Sequence, residues 1–272
     1  MSIRLFEIKL PIEHRVEDFP KAITASLGIQ ARELLSFSIR REAIDARKKS
    51  AVHFSYTIDA EVVEEARVLA MKHACRVAPR PDESYAPTKP GTEKLVHRPV
   101  VVGTGPAGLF AGLTLARVGF RPILLERGRR VEERVGDVEG FWREGRFDPE
   151  SNAQFGEGGA GTFSDGKLTT LINDPRCTAI LGEFVAAGAP DSILVAGRPH
   201  LGTDTLRSVL KAMRRTIIGL GGEFHFSSCL TDIRVEGGRL AALEVNGQDL
   251  VGCEAAVLAI GHSADDTIAR LH

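Results

Sequence analysis

The stretch Pro99-Val100-Val101-Val102-Gly103-Thr104-Gly105-Pro106-Ala107-Gly108 decides the fold. A short β-branched run meets a glycine-rich turn, and Leu109, Leu113 and Ala116 then recur with the period of a helix. Strand, turn and helix follow one another as the first half of a dinucleotide-type βαβ unit requires. Gly103 serves the tight turn, Gly105 leaves the backbone room to approach a pyrophosphate, and Gly108 lets the helix pack close to the strand. Pro106 suits the first helical turn, where its missing N–H costs nothing, and the helix start around Ala107 offers unpaired N–H groups to an anion. A second strand, Pro122-Ile123-Leu124-Leu125, ends in Glu126. An acid at that point accepts hydrogen bonds from a ribose 2′-hydroxyl and repels a 2′-phosphate, which disfavours NADP.

Downstream lies a second glycine cluster, Gly156-Glu157-Gly158-Gly159-Ala160-Gly161-Thr162-Phe163-Ser164-Asp165-Gly166-Lys167. Backbone without side chains can lie against a flat or anionic ligand with its N–H groups free to donate, and a flexible surface loop is the competing reading. Pro199-His200-Leu201-Gly202 then leads to Thr203 as a helix N-cap. The helix buries Leu206, Val209, Leu210, Met213, Ile217 and Leu220 before Gly221-Gly222 stops it. Strands are expected at Glu223 to Phe226, Cys229 to Val235 and Leu240 to Val245, the last two joined at Gly237-Gly238. The all-apolar run Ala255 to Ile260 reads as a strand buried on both faces whose end, at Gly261-His262-Ser263, returns to the ligand crevice.

Upstream, the proline-rich segment from Arg80 to Gly91 denies helix and sheet alike and reads as a linker. Before it, Arg4-Phe6-Ile8-Leu10, Leu35-Phe37-Ile39 and Val52-Phe54-Tyr56-Ile58 alternate with the period of half-buried strands. Helices are expected over Asp18 to Leu27, closed by Gly28, and over Val62 to Ala74, with a last strand at Cys75 to Ala78. The order β-α-β-β-α-β suggests a ferredoxin-like sandwich. RNA-binding modules share that topology, and Arg40-Arg41 and Arg47-Lys48-Lys49 flank a strand. With Phe54 and Tyr56 on the helix-covered face, however, only His53, Ser55, Thr57, Ser36 and Ser38 remain for the open face, and no stacking platform is left.

The 272 residues carry 43% hydrophobic and 26% charged side chains and a net charge of −1. That is the composition of a folded chain without a global pull toward nucleic acid or anionic lipid. The longest apolar run is too short to span a bilayer, and Arg4, Glu7, Lys9 and Pro11 occupy the place of a signal peptide's apolar stretch. A cytoplasmic location is expected. Cys75, Cys177, Cys229 and Cys253 are too scattered for a metal site or a dithiol and read as reduced thiols.

The GxGPAG turn, Glu126, the GEGGAGTFSDGKL segment, Pro-His-Leu-Gly-Thr-Asp, Leu-Ala-Ile-Gly-His-Ser and the Ile44-Asp45-Ala46-Arg47-Lys48-Lys49 stretch together resemble the FAD-dependent dehydrogenases also called NAD(FAD)-utilising dehydrogenases. The resemblance implies an α/β fold, a Rossmann-like FAD-binding domain preceded by a small α+β ferredoxin-like domain. The expected boundaries are 1–79 for the first domain, 80–97 for the linker and 98–272 for the FAD domain. It implies FAD held by Gly103, Gly105, Pro106, Ala107, Gly108 and Glu126, with Gly159 and Gly161 of the second loop near the flavin. Gly261 falls where chain and cofactor meet, and Leu230 where related flavoproteins contact adenine through the backbone. Lys167 becomes a candidate cation at the flavin N1 edge, against the alternative of a surface lysine. His200, which precedes a helix start, is a candidate active-site group. No metal is expected. The family continues past the last strand with a region that closes over the flavin, so the FAD domain is expected to be incomplete at its C-terminal end, with the missing portion as a partner. The expected function is oxidation or reduction of an unidentified small molecule. A flavin-dependent RNA-modifying or RNA-binding protein and a nucleotide-binding fragment without turnover are the alternatives.

Overall fold

The structure is a computed structural model that describes residues 2–271 apart from Asp165, Leu171 and Asn173. Asp165 of the second glycine cluster therefore lies outside the described residues. Two compact units divide the chain: Met1–Ala86 with Lys167–Val185 and Pro190–His200, and Pro87–Gly166 with Ala186–Ala189 and Leu201–His272. Two stretches of the expected domain 98–272, Lys167–Val185 and Pro190–His200, group with the first unit. The physical reason is a free strand edge: Glu42 N–H donates to Val195 O (2.7 Å), and Gly197 N–H donates to Glu42 O (2.8 Å).

The first unit is built from β1 (Ile3–Pro11), α1 (Asp18–Leu27), β2 (Leu34–Asp45), β3 (His53–Val62), α2 (Glu65–Ala70) and β4 (Arg76–Pro79). Its sheet has the order β2-β3-β1-β4 with antiparallel neighbours throughout. Phe19, Ile23 and Leu27 of α1 pack with Tyr56, Ile58 and Ala60 of β3 into one core, and Phe54 joins it. Gly28 ends α1 in the left-handed region at φ 70. The expected phase of β1 is wrong at its start. Ile3 and Leu5 face the core, whereas Arg4 and Phe6 lie on the other face; a bulge with Glu7 at φ 59 then returns Ile8 and Leu10 to the core. Helix α2 is also shorter than expected. Val62 ends β3, Glu64 is left-handed, and Met71 is extended, so only Glu65–Ala70 is helical. Glu83 of the expected linker accepts hydrogen bonds from Arg4 and Arg40, and Arg4 is also held by the buried Asp59.

The second unit contains β5 (Val100–Val102), α3 (Pro106–Arg117), β6 (Ile123–Leu125), α4 (Val131–Glu144), α6 (Thr203–Gly219), β7 (Glu223–His225), β8 (Leu230–Glu236), β9 (Arg239–Val245), β10 (Asp249–Gly252), β11 (Ala256–Leu258) and α7 (Asp265–Leu271). Helix α5 (Pro175–Ala186) lies almost wholly in the first unit. The parallel sheet has the order β11-β5-β6-β7. In chain order of its own strands this is 4-1-2-3, the arrangement of the first half of a doubly wound fold, and the order reverses between β5 and β11. A separate antiparallel sheet, β10-β9-β8, is inserted before β11. Leu230, Leu243 and Val245 of that sheet share a core with Val100, Val102 and Leu125.

Helix α6 buries Leu206, Val209, Leu210, Met213 and Ile217, each contributing roughly 1.5–3 kcal/mol. Leu220, expected in the same stripe, is exposed beyond the helix end. Gly202 rather than Thr203 is the N-cap of α6, with no side-chain cap bond. The run expected to be buried on both faces forms the edge strand β11, and its Val257 and Leu258 are 40% and 44% exposed. Strand β10 had no clear alternation to announce it. All four cysteines are free, and only Cys253 is buried. Among the described residues no helix is long and apolar enough to cross a membrane, and no cluster of His, Cys, Asp or Glu is placed to hold a metal.

Candidate functional site

A cavity of about 480 Å³ opens where the strand order reverses, between the ends of β5 and β11. This is where doubly wound sheets place their ligands. Its floor is the first glycine turn. Gly103 leaves β5 at φ 96 with its N–H bonded to Leu125 O (2.7 Å), and a Cβ there would stand 2.3 Å from Ala259 O. A Cβ on Gly108 would stand 1.9 Å from Gly103 O. Both glycines are therefore demanded by the turn and by the close seat of α3. Gly105 differs: a Cβ there would touch only Gly159 Cα, at 3.8 Å, so its free side faces space that the protein leaves open. Gly105 is also the N-cap of α3, no side chain caps the helix, and Pro106 occupies its first position. The unpaired N–H groups and the positive end of the helix dipole thus belong to the wall of the cavity.

Of the residues singled out from the sequence, Gly103, Gly105, Pro106, Ala107 and Glu126 line this cavity, and so do Gly159, Leu230 and Gly261. Gly108 does not; its place is beneath the turn. Gly161 is not among the cavity's lining residues, and a Cβ added to it would meet nothing within 4 Å. Lys167 and His200 belong to the first unit, where they pair with each other in an isolated antiparallel bridge.

The two glycine clusters meet. A Cβ on Gly159 would lie 3.2 Å from Gly105 Cα, and Gly158 N–H donates to Thr104 O (2.9 Å). The glycine density of the second cluster, read from the sequence as ligand access or flexibility, has another main cause. A Cβ on Gly156 would strike Arg134 Cδ at 2.5 Å, and one on Gly166 would strike Leu201 O at 1.9 Å. Packing, more than a ligand, excludes side chains there.

Arg134, fully buried on α4, was invisible in the sequence because Val131-Glu132-Glu133-Arg134-Val135 looks like any solvated helix start. Its guanidinium donates to the carbonyls of Asn152, Ala153, Gly156, Glu157 and Gly159. Burial lowers its pKa to about 10, against the attraction of Glu126, Glu157 and Asp137. Its face also meets the Phe163 ring at 4.9 Å, and the edge of Trp142 meets the same ring at 6.3 Å between centroids. Arg127 and Phe155 also line the cavity and were missed. The Arg127 guanidinium lies 4.1 Å over the Phe155 ring and is bonded to Glu150 and Asp266. Their only signal was adjacency, one to Glu126 and the other to the second glycine cluster. Cys229 lines the cavity, with burial raising its thiol pKa.

Glu157 accepts from Val131 N–H (2.8 Å), which caps α4, and from Arg214 (2.6 Å). Its other oxygen, Oε1, is buried without a partner. Burial pushes its pKa up to about 7, against the opposing pull of the Val131 N–H and Arg214. Because the folded value is raised above the ordinary 4.5, stability from this group is complete below pH 4.5 and is lost as pH rises to about 7. Urea titrations between pH 4 and 8 should show that decline, on the order of 3 kcal/mol, and Glu157→Gln should flatten it. An equal slope in the variant would assign the pH dependence to other groups.

Comparison with known proteins gives three kinds of match. Residues 2–61 match the model of a domain of unknown function, DUF8436. A protein of Clostridium beijerinckii described as uncharacterized is 44% identical over 272 residues, all of this chain and 51% of the relative. Solved structures that resemble part of the chain include THI4 of Thermovibrio ammonificans, 18% identical, with 64% of this chain and 61% of that one covered at a TM-score of 0.40. Lactococcus lactis thioredoxin reductase is 18% identical over 60% of this chain and 34% of its own, with a TM-score of 0.33. An FAD-dependent pyridine nucleotide-disulphide oxidoreductase of Desulfovibrio vulgaris is 13% identical over 64% and 28%, with a TM-score of 0.30. The chain thus spans about half the length of the curated relative it matches.

Proposed function

We propose that the second unit binds FAD and that the protein is an FAD-dependent oxidoreductase, a dehydrogenase of a small molecule not yet identified. The observation that supports it most is the cavity at the strand-order reversal, walled by an uncapped helix N-terminus and by two glycine segments in contact. The residues present fit the group. Gly105, Pro106 and Ala107 would receive the pyrophosphate, the start of β8 at Leu230 would meet the adenine, and Gly261 would lie where the chain passes the cofactor. Bound FAD supplies hydride and electron transfer, while the protein binds, orients and shields it. In this reading the second glycine loop keeps water from one side of the cavity.

The first unit is proposed to be a ferredoxin-like sandwich, since its sheet order and antiparallel pairing are those of that fold. We assign it no nucleic-acid partner. Among the described residues, Phe37, Phe54 and Tyr56 pack in or against its core, and Phe6 lies under the Arg76 guanidinium at 4.6 Å, so these rings are engaged in packing rather than offered for base stacking. Four free thiols accord with a cytoplasmic setting.

The test is the visible absorption of the purified protein beside that of Gly105→Val. The backbone at Gly105 is ordinary, at φ −66, and the space above it is free, so valine should leave the fold intact while filling the pyrophosphate approach. A flavin spectrum in the wild type, and at least a tenfold loss of FAD affinity with an unchanged circular dichroism spectrum in the variant, is the expected result. Full FAD binding by the variant would place the site elsewhere.

A further inference from the structure

Glu126 follows directly on β6 and is 5% exposed. Oε2 accepts from the N–H and the hydroxyl of Thr104, both at 2.8 Å. Oε1 accepts from the N–H of Gly128 and the N–H of Gly156, both at 3.0 Å. A carboxylate offers about four lone-pair sites, and four protein donors take them. The peptides it holds are the first glycine turn, the exit from β6 and the second glycine loop. The Gly156 carbonyl, on the opposite side of that residue from its bonded N–H, accepts from Arg134 at 3.3 Å. One buried anion thus gathers donors, and one buried cation gathers acceptors, on either side of the same loop residue.

We propose that Glu126 is a positioning residue, which with Arg134 fastens the second glycine loop over the first glycine turn before any ligand arrives, and that it is not the group that reads the ribose hydroxyls. This rests on the dinucleotide reading above and departs from the role that the position of Glu126 at a strand end suggests. A ribose hydroxyl can bond to this acid only by displacing one of its four donors. Each displaced donor would be left buried and unpaired, so the exchange gains little. The acid's negative charge still opposes a 2′-phosphate, which keeps the preference against NADP without a hydroxyl contact.

Two measurements test the proposal, and both must hold. In the first, the wild-type protein is titrated calorimetrically with ADP and with 2′,3′-dideoxyadenosine diphosphate. Affinities within fivefold of each other are expected; a dideoxy compound bound more than fivefold more weakly overturns the proposal. If neither compound binds, the dinucleotide reading fails, and the second measurement decides alone. It follows amide hydrogen exchange at Thr104, Gly128 and Gly156 in ligand-free wild type and Glu126→Gln. The variant should lose at least tenfold protection at these three amides while the β1–β3 ladder keeps its own. Unchanged protection overturns the positioning role. Should Glu126→Gln not fold, Thr104→Val, which removes only the hydroxyl donor, takes its place with the same expected direction.

Discussion

Alanine at position 108 should destabilise the second unit by about 3 kcal/mol or more, the upper end of what overpacking produces. The added Cβ would stand 1.9 Å from Gly103 O and 2.8 Å from Gly103 C. Neither is the tip of a flexible side chain. The turn or the helix must move, and moving α3 away from the turn disturbs the contact of Leu109 and Leu113 with the core. Gly161→Ala is the matched control, since a Cβ there meets nothing within 4 Å, and a change within about 0.5 kcal/mol is expected. Urea midpoints of the two variants decide the matter. If both shift alike, the close approach of helix and turn is not what holds this region together.

Replacing Arg134 by methionine should cost about 3–5 kcal/mol, although the side chain is similar in length and more apolar. The loss comes from what remains. Five carbonyls from Asn152 to Gly159 lose their donor, and the attraction of Glu126 and Glu157 for the buried guanidinium is lost. Lysine keeps the charge but cannot fan out to five acceptors, so Arg134→Lys should recover only part of the difference. Thermal unfolding gives the magnitude, and limited proteolysis locates it: new cleavage should fall between residues 152 and 164. Stability equal to wild type in the methionine variant would mean that the loop is held by its own turns.

The first glycine turn was legible because each of its residues answers a local demand. Gly103 and Gly108 exclude a Cβ, Pro106 starts a helix, and Glu126 closes a strand. The stripe of α6 was legible for a similar reason, since its period survives from Leu206 to Ile217. Where reading failed, the cause lay in contacts between distant residues. Nothing near Glu7 signals a bulge, because a non-glycine residue at positive φ carries no composition cue, so the phase of β1 was misread at its first half. The run Ala255 to Ile260 was read as doubly buried, but strand order alone decides which strand is the edge. Arg134 and Glu157 were hidden because a charged residue on a helix or in a glycine loop looks solvated until its partners are known. The glycines at 156 and 166 looked like ligand access because the atoms they make room for, in Arg134 and Leu201, are far away in sequence.

The chain has a single tryptophan, and its place has an optical consequence. Trp142 is 60% exposed, so its emission should lie well to the red, yet its edge rests against Phe163 at the end of the second glycine loop. Any departure of that loop from the ring changes the indole's surroundings without passing through the rest of the protein. Intrinsic fluorescence of the unlabelled chain is therefore a local gauge of one loop, while the ellipticity of the helices follows the fold as a whole.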